Sequence, residues 1–89
     1  MPPHRQAKAR SPQHAALGEA IRQTRVEAEL TQEELADRAG TDIRQIGGFE
    51  RGVRNPSYAT LLRLACALET RVGALASLAD RLYVQRKSS

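Results

Sequence analysis

The sequence has no tryptophan, one phenylalanine and two tyrosines, and no run of β-branched or aromatic residues long enough to build strands. Alanine and leucine dominate the 40% hydrophobic fraction, so an all-α fold is expected. The single cysteine, Cys66, excludes a disulfide framework or a cysteine-based metal site within one chain. Its place between Ala65 and Ala67 in an apolar pattern marks it as small core filler. No stretch approaches the roughly 20 consecutive apolar residues of a membrane span, and no apolar segment follows the basic N-terminus as in an export signal. A cytoplasmic location away from membranes is therefore expected. His4 and His14 have no carboxylate or thiol at metal-ligand spacing. No nucleophile has a base beside it, and Gly47-Gly48 has neither a preceding strand nor a following Lys-Ser/Thr, which excludes a phosphate loop. Neither a metal, a cofactor nor enzyme chemistry is expected.

A chain of 89 residues supports one small domain. Its net charge of +4 is unevenly placed. Residues 1–14 carry Arg5, Lys8 and Arg10 with no acid, and Arg86 and Lys87 lie in the last five residues. The body between holds nine basic residues against all ten acids, so overall basicity is a weak argument for a nucleic-acid partner. More informative is the local excess of Arg38, Arg44, Arg51 and Arg54 over Asp42 and Glu50 within residues 38–54.

Residues 1–10 have two prolines and no periodicity, which reads as a disordered basic arm. Its use is either none or contact with phosphates or a minor groove. A folded unit is expected over 11–84, and a flexible tail over 85–89. Ser11-Pro12 opens a first helix, to about residue 29, with Leu17, Ile21, Thr24 and Ala28 inward. Thr31 and Glu34 form a capping box for a second helix that buries Leu35, Ala36 and Ala39 and closes at Gly40. Asp42 caps a third helix, with Gln45 at the capping-box position, Ile46 and Phe49 inward and Gly52 at its end. Ser57 caps a fourth with Leu61, Leu64, Ala65 and Leu68 on one face. Thr70 is the expected cap of a fifth, over about 72–84. That helix places Val72, Leu75, Ala76, Ala79, Leu82 and Tyr83 on one stripe, which serves either self-association or the cover of the first and fourth helices.

Two short capped helices hinged at Gly40 have the form of a helix-turn-helix, whose second helix enters a DNA major groove. The sequence resembles the Cro/phage-repressor (xenobiotic-response-element type) helix-turn-helix family. The likeness rests on Leu30-Thr31-Gln32-Glu33-Glu34-Leu35-Ala36, Ala39-Gly40, Ile46, Glu50-Arg51-Gly52 and Asn55-Pro56-Ser57, and it covers about 17–75. The resemblance implies a compact five-helix, lambda-repressor-like bundle. It also implies base reading by Ile43, Arg44, Gly47 and Gly48, phosphate contacts by Gln32, Arg51, Arg54 and Asn55, and a structural charge pair between Arg25 and Glu50. Arg44 offers a bidentate fork suited to guanine, and Ile43 suits a thymine methyl. The glycine pair departs from the family pattern: either the backbone approaches DNA closely, or few bases are read there. Glu69 stands where a helix-ending glycine is usual, and Thr24 where leucine is.

The function these features favour is a sequence-specific transcriptional regulator, a repressor, binding double-stranded DNA as a homodimer through Val72, Leu75, Ala79, Leu82 and Tyr83 on a near-palindromic operator. An alternative from another class is a protein-interaction module, such as an antitoxin or regulator subunit, that uses the same scaffold to hold a protein partner. A third is a nonspecific nucleic-acid binder acting through its basic ends.

Overall fold

The computed structural model describes residues 8–88, the side chain of Ser88 excepted. Five helices follow one another: α1 (Pro12–Glu27), α2 (Gln32–Ala39), α3 (Ile43–Arg51), α4 (Tyr58–Ala67) and α5 (Val72–Ser88). No strand occurs among the described residues, and no helix there is long and apolar enough to cross a membrane. The all-α, helix-turn-helix architecture expected from the sequence is the one observed.

Caps explain most of the boundaries. The Ser11 hydroxyl accepts from His14 N, with Pro12 in the first turn. Thr31 and Glu34 form the reciprocal box, Glu34 N to Thr31 Oγ1 at 3.0 Å and Thr31 N to Glu34 Oε1 at 2.8 Å. Asp42 Oδ1 accepts from Arg44 N and Gln45 N, and Ser57 Oγ accepts from Thr60 N. Gly40 and Gly52 close α2 and α3 at φ 69° and 76°, in the left-handed region that glycine enters without a Cβ penalty.

Several boundaries differ from expectation. The helical run of α1 ends at Glu27, and Ala28 is exposed at its C-cap, because Glu29 turns the chain with φ 58°. Thr70 does not cap α5. Its N–H donates to Ala65 O at 2.9 Å and helps close α4, while the Arg71 carbonyl starts the next helix by accepting from Ala74 and Leu75. Helix α5 continues through the segment 85–88 expected to be a flexible tail, with the Lys87 ammonium 5.5 Å from the Tyr83 ring centroid. Of the basic arm, residues 1–7 lie outside the described residues. At Arg10 the structure differs from the expected disorder: Arg10 N donates to Gly52 O at 2.8 Å, which ties the arm's end to the close of α3.

The core gathers Ile21, Leu30, Leu35, Ala36, Ala39, Ile46, Phe49, Leu64 and Leu68, with Leu17 and Leu61 packed partly against it. Thr24, on the inward stripe, is half-buried and donates its hydroxyl to Ala20 O at 2.8 Å. Cys66 is not core filler: it is exposed, because burial of Leu64, Ala65 and Leu68 turns the Cys66 position outward. Gly18 is buried and was not singled out by periodicity. A methyl built there would overlap the carbonyl oxygens of Phe49 and Glu50, so the missing side chain lets α1 pass against the backbone of α3.

Gly18→Ala is expected to cost about 1–3 kcal/mol in urea unfolding, the range for overpacking against atoms that cannot yield. Gly73→Ala, where an added methyl meets open space, is expected to be neutral or slightly stabilising. Equal effects at the two positions would sink the close-approach explanation.

Candidate nucleic-acid interface

Helix α3 is held from beneath by a charge pair shared among three helices. Arg25 on α1 donates Nε to Glu50 Oε2 at 2.7 Å and Nη2 to Oε1 at 3.0 Å. Its Nη1 reaches Leu30 O at 2.8 Å in the α1–α2 turn. Gln32 on α2 adds Nε2 to Glu50 Oε1 at 2.9 Å. The Glu50 side chain is 4% exposed, a burial tolerable for a carboxylate only with such pairing. The hydrogen bond to Glu50, chiefly, raises the Arg25 pKa above its ordinary value, burial opposing it and the carboxylate charge adding to it. The expected Arg25–Glu50 pair is thus present in bidentate form.

Gln32 was expected at a phosphate. In the structure its side-chain amide is turned to Glu50, which leaves the first-turn N–H groups of α2 as the part of that position aimed along the helix axis.

The opposite side of α3 faces outward. Ile43 is exposed, and the Arg44 side chain is 88% exposed, its guanidinium 3.8 Å from Asp42. The Asp42 carboxyl is held below its ordinary pKa, first by the Gln45 N–H, then by the Arg44 N–H and the charges of Arg44 and Arg54, with desolvation working against them. The Gln45 side chain does not complete a capping box. Its Oε1 instead lies 3.4 Å from Arg54 Nη1, and Asp42 Oδ1 alone supplies the side-chain cap, accepting from Arg44 N and Gln45 N.

Gly47 and Gly48, expected among the groove-facing readers, follow Ile43 and Arg44 by four residues on the same side of the helix. Both are covered in the free protein, because two arginines occupy the space their side chains would fill. A Cβ on Gly47 would lie 2.9 Å from Arg51 Nη1, and one on Gly48 would lie 2.5 Å from Arg54 Cδ. Arg51 follows Gly47 by four residues, and helical side chains lean toward the N-terminus, so that cover was readable from spacing. Arg54 comes from beyond Gly52, and no helical spacing announces it. Asn55 is exposed in the α3–α4 loop.

The residues expected to join two copies are mostly engaged elsewhere. Leu75 is 1% exposed, and Val72, Ala79, Leu82 and Tyr83 are half-buried on a helix that packs chiefly against α1, with Gln13 Nε2 3.3 Å from the Tyr83 hydroxyl. Leu75 is therefore corrected to a residue of the protomer's interior. An exposed apolar stripe lies on α4, with Tyr58 at 68% and Leu62 at 43%, followed four residues on by Cys66, while Val84 on α5 is 60% exposed. The α4 stripe was legible as the face opposite Leu61, Leu64 and Leu68.

A helix-turn-helix family model matches residues 21–75. No curated protein matches significantly. Among solved structures the chain is similar to the restriction-modification controller protein C.AhdI from Aeromonas hydrophila, at 37% identity over 73% of this chain and 98% of that one, with a TM-score of 0.72. It is similar to the clp gene regulator ClgR from Corynebacterium glutamicum at 25% identity, 85% and 81% coverage and a TM-score of 0.83. The controller protein C.Esp1396I matches at 25% identity, 84% and 97% coverage and a TM-score of 0.77.

Two tests follow from this geometry. Arg25→Met strands a nearly buried carboxylate and is expected to cost about 3–5 kcal/mol in urea unfolding, while Arg25→Met with Glu50→Leu restores most of the loss; a double variant as unstable as the single one contradicts the account. For Asp42, the folded-state pKa lies below the unfolded one. Its contribution is therefore complete above the ordinary aspartate range and is lost as pH falls through it. Thermal unfolding between about pH 5 and 3 is expected to show a shallower loss for Asp42→Asn, which keeps a capping side chain without the titration; parallel curves would remove Asp42 from the acid response.

Proposed function

The chain belongs to the Cro/C1-type helix-turn-helix family and is a DNA-binding transcription regulator; on that premise we propose that it represses as a homodimer on a near-palindromic operator. Two copies of α3 then enter successive major grooves about 34 Å apart. The observation that carries this reading is the contrast between the two sides of α3: a bidentate buried ion pair beneath, and an almost fully exposed arginine at the first turn above. A rigidly seated helix that projects Arg44 and Ile43 has the geometry of direct readout, with Arg44 toward guanine and Ile43 toward a thymine methyl. The N-terminus of α2, together with Arg51 and Asn55, flanks that helix with groups suited to phosphate. We place the protein in the cytoplasm with its DNA. The likeness to two restriction-modification controllers makes the control region of such a system the first class of operator to try.

The second copy is assigned to the α4 stripe of Tyr58 and Leu62, continued by Val72 at the start of α5. One helix-turn-helix reads only a few base pairs, so selectivity requires a partner of the same kind. The apolar stripe of α5 is largely spent on α1, with Val84 exposed near the helix's end, whereas α4 sets two large exposed apolar side chains, Tyr58 and Leu62, one turn apart.

Selection from random duplexes at two salt concentrations is expected to enrich an inverted repeat with half-sites about one helical turn apart, with affinity falling steeply as salt rises. Leu62→Glu is expected to sediment as a monomer and to lose the paired pattern. Sequence-blind binding that vanishes at moderate salt would overturn the regulator and point to a protein partner for the same scaffold.

A further inference from the structure

Two consecutive glycines in a nine-residue helix cost about 1 kcal/mol each relative to alanine, and at Gly48 the vacated space is filled by one particular side chain. The Gly48 carbonyl accepts from Val53 N at 3.0 Å and Arg54 N at 3.2 Å, which pins the loop backbone beside the helix. From there the Arg54 stem crosses Gly48, where a Cβ would come within 2.5 Å of Cδ, 2.8 Å of Cγ and 3.0 Å of Nε. The guanidinium ends near the first turn of α3, with Nη1 3.4 Å from Gln45 Oε1, and its charge is felt at Asp42. An arginine that only gripped phosphate would be expected to reach away from the helix toward the flanking backbone. This one is laid along the helix instead, toward the turn that carries Arg44.

We propose that Arg54 is a base-reading residue, seated in a notch made by Gly48, and that it recognises a guanine in each half-site beside the base met by Arg44. The loop thereby supplies the reader that the second turn of α3 lacks. One of the five guanidinium N–H donors is directed to Gln45, and the others include a pair able to meet guanine O6 and N7. Gln45 is the positioning partner that limits rotation of the planar group. The assignment rests on the DNA-binding reading of α3 and replaces the phosphate role first expected of Arg54.

The test is selection from random duplexes with wild type, Arg54→Lys and Gly48→Ala, thermal unfolding being recorded for each. Lysine keeps the charge but not the fork. Alanine at Gly48 favours the helix but takes the space of the Arg54 stem. Both variants are expected to lose discrimination at one guanine per half-site by about tenfold or more, with the remaining preferences unchanged and the melting temperature of Gly48→Ala not lowered. If Arg54→Lys keeps every base preference, Arg54 is a phosphate contact and the proposal fails. If Arg54→Lys loses the guanine while a folded Gly48→Ala retains it, the notch is not what seats the reader, and that half of the proposal fails. Should Gly48→Ala unfold, Arg54→Lys with Gln45→Ala decides, a reduced guanine preference in both being expected and an unchanged one in either overturning it. A wild type that enriches no sequence overturns the DNA reading itself, an outcome distinct from the other two.

Discussion

The Glu50 carboxylate is the point on which the arrangement of α1, α2 and α3 depends. Apolar burial is non-directional, and this core is rich in alanine, with Ala16, Ala20, Ala36, Ala39 and Ala65 all buried. Small side chains give helix surfaces shallow relief, over which neighbouring helices slide at little cost. The hydrogen bonds from Arg25 and Gln32 to Glu50 do have direction, as does the bond from Arg25 to Leu30 O. They index three helices and one turn to a single pair of oxygens. A buried ion pair adds little net stability over an apolar replacement; here its consequence is the fixed attitude of α3. Among the described residues no buried side-chain polar atom lacks a partner, so the arrangement meets the condition under which such burial is tolerated.

With α3 fixed from below, glycine permits close approach on both of its sides. Gly18 lets α1 run against the carbonyls at the end of α3, and the Gly47-Gly48 pair lets two arginine side chains lie on the outer surface. The backbone of α3 is consequently sandwiched more tightly than its short sequence suggests. The outer surface gains positive charge without gaining bulk at the second turn, and Asp42 at the helix N-terminus is the acid that balances it. A side chain at position 48 would push the Arg54 stem away from the helix.

The sequence made most of this domain legible, because its local rules agree with one another. Thr31 with Glu34, Asp42, Gly40, Gly52 and Ser57 each mark a boundary through a backbone demand that few residue types meet. Ile46 and Phe49 fix which side of α3 faces inward. The Arg25–Glu50 pair came from family likeness, since the two lie 25 positions apart and no spacing joins them. What was not legible concerns relations between elements. Whether the stripe of α5 covers α1 or meets a second copy depends on how two helices lie in space. The place of Arg54 depends on a loop path beyond Gly52, and Gly18 matters only once α1 lies against α3. Cys66 and Thr70 were misread for a smaller reason, in that a shift of one residue in helical phase or in the start of α5 reverses their roles.

Helix α3 would be a poor helix by itself. Nine residues are too few for independent stability even in a favourable sequence, and two of them are glycines. Its order must come from its two ends and its inner side. Asp42 accepts two N–H groups at the start. At the finish, Gly52 allows Val53 and Arg54 to return their N–H groups to Gly48, and Ile46, Phe49 and Glu50 are buried beneath. The outer surface contributes little to this stability. Residues there are consequently free to be chosen for what they meet outside the protein, whereas substitutions at the caps or beneath the helix move the whole reading surface. The glycine pair belongs to the first kind: tolerable because stability is supplied elsewhere, and useful because it makes room for a side chain from the adjoining loop.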